Sequence, residues 1–163
     1  MYHYYIDSPP GFATRFLQIQ ASEIGIKRID FVNEKTVEVK PTSLLLHCVD
    51  ELEKYFAGKL KTFTVALDPG GTDFQKKVWC ELQKIKFGET WSYKQLALAV
   101  ESANYCRAVG AANAKNLIAI IIPCHRVIGN NGHLTGYAAG LTIKQWLIEH
   151  EGSGDKITCQ ANG

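Results

Sequence analysis

The sequence predicts an α+β protein in two parts, a small strand-rich unit followed by a mostly helical one. Apolar residues alternate in stretches before residue 65 and recur at helical spacing after residue 72. Between these regions lies Asp68-Pro-Gly-Gly-Thr72, a turn-forming segment with the composition of a linker. The expected division is residues 1–67 for the first domain, 68–152 for the second and 153–163 for a polar tail.

The first unit reads as strands around one helix. Arg15-Phe-Leu-Gln-Ile-Gln20 alternates imperfectly and Ile24-Gly-Ile-Lys-Arg-Ile-Asp-Phe31 more clearly, with Ile24 and Ile26 on one face. Pro9-Pro10-Gly11 and Asn33-Glu34-Lys35 read as turns. Thr42 is the natural N-cap of a helix in which Leu45, Cys48, Val49, Leu52 and Phe56 recur every three or four residues, and Gly58 ends it. Lys61-Thr-Phe-Thr-Val65 reads as one more strand.

In the second unit, Thr72 caps a helix with a stripe of Phe74, Val78, Leu82 and Ile85 that runs to Gly88. Ser92 caps a short helix with Tyr93, Leu96, Ala97 and Val100 inward, and Ser102 caps a third from about Ala103 to Lys115. Two short helices joined by about three residues have the dimensions of a helix-turn-helix. Ala108, Gly110, Ala111, Ala112 and Ala114 leave the third helix nearly without bulk. That smoothness suits close approach to another helix or to a nucleic-acid backbone. A last helix, Thr142 to Glu149, should bury Ile143, Trp146 and Leu147.

The length of 163 residues and a composition 46% hydrophobic and 21% charged exclude a disordered tail, a collagen-like repeat and a coiled coil. The longest purely apolar run, Leu117 to Ile122, falls far short of the roughly 20 residues that span a bilayer. The start, Met1-Tyr-His-Tyr-Tyr-Ile-Asp7, lacks the basic flank and apolar stretch of a signal peptide, so no membrane partner and a cytoplasmic location are expected. Cys48, Cys80, Cys106, Cys124 and Cys159 are odd in number and form no C-x-x-C pair. That argues against a zinc ribbon, a thioredoxin-like site and a disulfide framework, and no metal is expected. The net charge of +2 divides as −1 over residues 1–71, +4 over 72–130 and −1 over 131–163. A basic middle suits a polyanion, and equally a solvated face.

The chemistry concentrates in Ile120-Ile-Ile-Pro-Cys-His-Arg-Val-Ile128, where an apolar run is interrupted by three reactive or charged side chains. Such residues are costly in a buried segment unless they have partners or a task. An imidazole or a cation beside a thiol lowers its pKa, so Cys124 next to His125 and Arg126 has the makings of an activated nucleophile. Neighbours on an extended chain, however, point to opposite faces.

The wider constellation resembles the O6-alkylguanine-DNA alkyltransferases, the methylated-DNA–protein-cysteine methyltransferases. The resemblance lies in Gly71-Thr-x-Phe-Gln-x-x-Val-Trp79, Gly88-Glu-Thr-x-Ser-Tyr-x-x-Leu-Ala97 and Arg107-Ala-Val-Gly-x-Ala112. It continues through Asn116, Ile122-Pro-Cys-His-Arg-Val127, Gly136-Tyr137, Gly140-Leu141, Trp146-Leu147 and His150-Glu151. It is dense over about residues 70–152 and loose over the first 65.

The resemblance implies a ribonuclease-H-like N-terminal domain and a helical C-terminal domain that binds DNA and accepts the alkyl group. It implies one irreversible transfer per molecule from O6-alkylguanine, and also from O4-alkylthymine, in double-stranded DNA, by a monomer that needs no cofactor and no protein partner. Cys124 would be the acceptor, His125 its base through a water, Glu151 the carboxylate that holds His125, and Asn116 the hinge that fixes the turn. Tyr93 would assist departure of the guanine. Arg107 would fill the stack vacated by the flipped nucleotide, with Ser92, Ala108, Gly110 and Ala111 along the DNA. Family members place this helix in the minor groove, against the usual major-groove docking of the motif. Val127, Tyr137 and Ala138 would line the pocket.

There are departures from the family pattern. Leu117 and Ala119 stand where the family often has prolines, which implies a less rigid pocket wall, and Ala138 stands where some members have a serine. The zinc-binding cysteines near the start of some relatives have no counterpart, since the first cysteine is Cys48. Two other readings compete: a non-catalytic alkylated-DNA binding protein of the alkyltransferase-like type, which lacks the acceptor cysteine, and a cysteine hydrolase built on Cys124 and His125.

Overall fold

The computed structural model describes residues 1–129, 137 and 140–152. The expectations for Gly136, Ala138, Cys159 and the tail over 153–163 lie outside the described residues. The chain divides into two compact units, Met1–Gly70 and Gly71–Gly163.

In the first unit, β1 (Tyr2–Asp7), β2 (Phe16–Ala21) and β3 (Ile26–Val32) form an antiparallel sheet in that order, against which α1 (Ser43–Phe56) packs. Leu17, Ile19 and Ala21 of β2 alternate into the core as period-two residues must, and the register sets Ile19 opposite Ile29. On α1, Leu45, Cys48 and Leu52 are buried, and Thr42 caps the helix by accepting from the Leu45 N–H. The strand β1 was not legible, because Tyr2, His3 and Tyr4 are all half-buried and give no alternation.

Two expectations for this unit fail because polar side chains take up backbone N–H groups. Ile24 does not share a face with Ile26: it is 71% exposed, whereas Ile26 is fully buried. Ser22 accepts the N–H groups of Ile24 and Gly25 on its hydroxyl and holds a turn there, so β3 starts only at Ile26. A Cβ on Gly25 would lie 2.5 Å from the Leu67 carbonyl carbon, so only glycine fits this approach. Residues 61–65 are not a strand. The N–H groups of Thr64 and Val65 donate to the buried Glu51 carboxylate instead of to a neighbouring strand, and a single parallel bridge, Ile26 to Leu67, follows.

In the second unit, α2 (Asp73–Leu82) and α3 (Tyr93–Val100) both begin with capping boxes, Thr72 with Gln75 and Ser92 with Gln95. α4 (Cys106–Ala114) packs on both, and the Trp79 indole N–H of α2 donates to the Ala112 carbonyl at 2.8 Å. β4 (Trp91–Ser92) pairs in parallel with β5 (Val127–Ile128), which leads toward α5 (Leu141–His150). α2 ends at Leu82, before Gly88, because Lys84 and Ile85 close tight turns onto the carbonyls three residues back. Ser102 makes no side-chain cap, and residues Ala103–Tyr105 form a 3-10 turn ahead of α4. On α5, Trp146 is only half-buried, stacked on His150 at 4.9 Å, and the side chain wholly buried beside Ile143 is Lys144.

Candidate active site

The site is built on the loop that leaves α4. Asn116 spans this loop: its amide Nδ2 donates to the Ile122 carbonyl at 2.8 Å and its Oδ1 accepts the Ile118 N–H at 3.0 Å. Inside the bracket Ile120 has φ +74°, a left-handed conformation that a β-branched residue adopts only under strain. Ile118, Ile120 and Ile122 are all buried, and such packing is what holds a strained residue in place.

The chain then enters a 3-10 turn, Cys124–Arg126. With three residues per turn, successive side chains diverge by about 120° instead of 180°, so Cys124 and His125 are not forced onto opposite faces. Both are buried, as is Arg126.

Glu151, the C-cap residue of α5, closes the site. His125 Nε2 lies 2.8 Å from Glu151 Oε2, and Arg126 donates to the same carboxylate through Nε at 2.8 Å and Nη2 at 3.0 Å. Arg126 Nη1 donates to the Ile85 carbonyl at 2.6 Å, and its guanidinium lies 5.9 Å from the centre of the Phe87 ring. Gly88 turns here at φ +86°, where a Cβ would come 3.2 Å from the Glu151 carbonyl oxygen. From α5, Lys144 Nζ donates to the Val127 carbonyl at 2.6 Å.

The electrostatics follow from burial. Desolvation pushes the Cys124 thiol up, opposed by Asn116, by the Lys144 charge and by the N–H groups of Cys124 and His125. The resting thiol is therefore protonated, and the adjacent cations do not by themselves make a thiolate. Burial pulls His125 down, more than Glu151 raises it, so the imidazole is neutral. Burial alone would raise the Glu151 carboxyl, but the bonds and charges of His125 and Arg126 hold it well below the usual carboxylate range. A neutral imidazole bonded to an ionised carboxylate carries its proton on Nε2, which leaves Nδ1 as an acceptor. Nδ1 is buried and has no hydrogen-bond partner among the described residues. The site thus contains a thiol and an oriented base.

The α3–α4 pair forms the helix-turn-helix. On α4, Val109, Ala112 and Asn113 face the core, while Arg107, Ala108, Ala111 and Ala114 are exposed along one face. Gly110 packs toward Tyr93, whose ring would lie 3.8 Å from a Cβ there. Ser92 and Tyr93, at the start of α3, are half-buried. The smooth helix therefore divides its small residues: Ala112 allows packing on α2, and Ala108 and Ala111 leave the outer face flat. Among the described residues no cluster of three or more His, Cys, Asp or Glu side chains is placed to hold a metal ion.

Two family models match successive parts of the chain. Residues 1–69 match the ribonuclease-like domain, and residues 73–153 the DNA binding domain, of 6-O-methylguanine DNA methyltransferase. The chain belongs to the 6-O-methylguanine DNA methyltransferase family.

Among the relatives of this family, the methylated-DNA–protein-cysteine methyltransferase of Methanosarcina barkeri is 45% identical over 157 residues, 93% of this chain and 97% of the relative. The crystal structure of the Mycobacterium tuberculosis O6-methylguanine methyltransferase superposes with a TM-score of 0.80 at 41% identity, covering 93% of each chain. A structure of the OGT of the same organism in complex with DNA gives a TM-score of 0.81 at 38% identity, covering 96% of this chain and 95% of the other.

The methyltransferase fold gathers Cys124, His125, Glu151 and Asn116 in one place, with Val127 immediately after the turn. Tyr137 is half-buried with its hydroxyl enclosed, and Cys124 and Glu151 add to burial in raising its pKa. Arg107, Ala108 and Ala111 lie instead on the exposed face of α4. Sequence reasoning gave Arg126 no role beyond a neighbouring cation and passed over Lys144. The signal for Lys144 was present: it continues the inward stripe of Ile143, Leu147 and Ile148, where a charge is anomalous.

Proposed function

We propose that this chain removes alkyl groups from O6 of guanine in double-stranded DNA by transferring them to Cys124, each molecule acting once. Methylated-DNA–protein-cysteine methyl transfer, as an activity, follows from the family. The observation that supports the detailed reading is the buried His125–Glu151 pair, which leaves Nδ1 as a base in the turn that carries the thiol.

His125 Nδ1 takes the thiol proton through a water, and Glu151 stabilises the imidazolium. The sulfur attacks the alkyl carbon, the S–C bond forms as the C–O6 bond breaks, and the electron pair stays on the guanine. Tyr93 hands a proton to the departing base, and the proton removed from the thiol makes good that loss. In sum, thiol and O6-methylguanine become S-methylcysteine and guanine, with no further reactant. A thioether is a poor leaving group, so the transfer ends the working life of the molecule. O4-alkylthymine presents the same alkyl–oxygen bond and is proposed as a second substrate.

The target must leave the base stack to reach a buried thiol. The flat exposed face of α4 suits a narrow minor groove, where Arg107 fills the vacated position. One chain carries both the groove-binding helix and the acceptor, so the proposal is a monomer with DNA as its partner. Incubation with duplex DNA carrying labelled O6-methylguanine tests this. Label should move to the peptide containing Cys124. Label that stays on tightly bound DNA would mark a non-catalytic damage-binding protein instead.

A further inference from the structure

We infer that Lys144 is a positioning residue for the acceptor thiol: from α5 its buried ammonium holds the Val127 carbonyl and balances the charge of the Cys124 thiolate as it forms. The inference rests on the proposed role of Cys124 as acceptor.

A lysine in the middle of an amphipathic helix normally faces water, and placing its ammonium in a core is costly unless something answers the charge. Lys144 is completely buried, between Ile143 and Leu147 on the inward side of α5. Its Nζ donates at 2.6 Å to the carbonyl of Val127, the residue directly after the Cys124–Arg126 turn. Glu151 lies two helical turns further along α5 and binds His125 and Arg126 of the same turn. One helix therefore holds the three residues that follow the thiol, His125, Arg126 and Val127.

The charges give this hold a direction. Among the described residues of the second unit, the buried charged side chains are Arg126, Lys144 and Glu151. The Arg126 fork matches the Glu151 carboxylate. A thiolate forming at Cys124 is a second buried negative charge, and the Lys144 ammonium favours it. The coupling is mutual: burial pulls Lys144 down to about 8 while Cys124 opposes that fall, and Lys144 in turn lowers the thiol against burial. The groups that act on Cys124 are Asn116 from the loop, the N–H groups of its own turn and Lys144 from α5, and Cys124 in turn raises Tyr137; Glu151 reaches the turn through His125 and Arg126.

The test uses the full chain and reads carbamidomethylation of the Cys124 peptide by iodoacetamide, by mass spectrometry, across pH. Lys144→Gln retains a donor for Val127 but removes the charge. The pH of half-maximal reactivity should rise by about one unit, with reaction about tenfold slower near neutral pH and converging with the wild type at high pH. Lys144→Arg should restore the wild-type midpoint. A Lys144→Gln midpoint equal to that of the wild type, whatever its melting temperature, overturns the inference, since a purely structural lysine changes stability and not thiol ionisation. Should Lys144→Gln not fold, the coupling is read from the lysine by nitrogen-15 NMR. The ammonium of Lys144 should titrate at lower pH in Cys124→Ala than in the wild type, and equal titrations overturn the inference. Wild-type protein that takes no methyl from O6-methylguanine DNA would refute the proposed function independently of either result.

Discussion

Arg126 and Glu151 form a buried two-point fork, with Nε and Nη2 at 2.8 and 3.0 Å from the two carboxylate oxygens. The oxygen that receives Nη2 also receives His125 Nε2 at 2.8 Å. The base is therefore oriented by a carboxylate that is itself held in place, and Ile85 anchors the guanidinium from behind.

Removing one partner of a buried pair leaves the other charge uncompensated. Arg126→Met should destabilise the protein by about 3–5 kcal/mol, measured by denaturant unfolding. At temperatures where the variant stays folded, its transfer rate should also fall, because Glu151 loses the donor that fixes it. A stability loss below about 1 kcal/mol would mean that the fork is worth no more than a surface pair.

Cys124→Ala should abolish alkyl transfer and leave DNA affinity close to that of the wild type, because the thiol is buried whereas the face of α4 proposed to enter the groove is exposed. Mass spectrometry after reaction of the wild type should find one added methyl, on Cys124. Methyl on the exposed Cys80 or on Cys106 would point to a different acceptor.

Glu151→Gln keeps the shape of the side chain and removes its charge. The single-turnover rate should drop near neutral pH and partly recover toward about pH 9, where a thiol ionises with less help. An unchanged rate at every pH, with a lower melting temperature, would make Glu151 an anchor of α5 alone.

The same pair sets the acid limit of stability. His125 has a depressed pKa, so the unfolded state binds its proton first, and stability should start to fall as pH drops through about 6.5. Glu151 is depressed as well. Its contribution is complete above the unfolded value of about 4.3 and is lost as pH falls from there toward the folded value. Thermal melts of wild type and Glu151→Gln between these limits check both signs: the variant should lose the lower part of the dependence.

Arg107→Ala should slow repair in duplex DNA by about tenfold or more, equivalent to 1.4 kcal/mol or above, and spare reaction with the free alkylated base. Arg107 is exposed on α4 and lies outside the hydrogen-bonded site, so only the duplex needs it. Equal losses on both substrates would place its role in the fold.

What the sequence by itself determined is local. The α1, α2 and α3 N-termini rest on side-chain-to-backbone bonds three residues apart, at Thr42, Thr72 and Ser92, and these are written in adjacent residues. The Cys124 segment was legible for a related reason: Cys124, His125 and Arg126 stand together inside an apolar run, and the family blocks around them recur in order. Tertiary structure alone decided the rest. Glu51 withdrew Thr64 and Val65 from strand pairing with a carboxylate 13 and 14 residues away. Arg126 found a carbonyl 41 residues earlier in the chain, and Lys144 turned inward to one 17 residues away. No periodicity encodes such bonds, because they form only once packing has removed water from these polar groups and made each of them costly to leave without a partner.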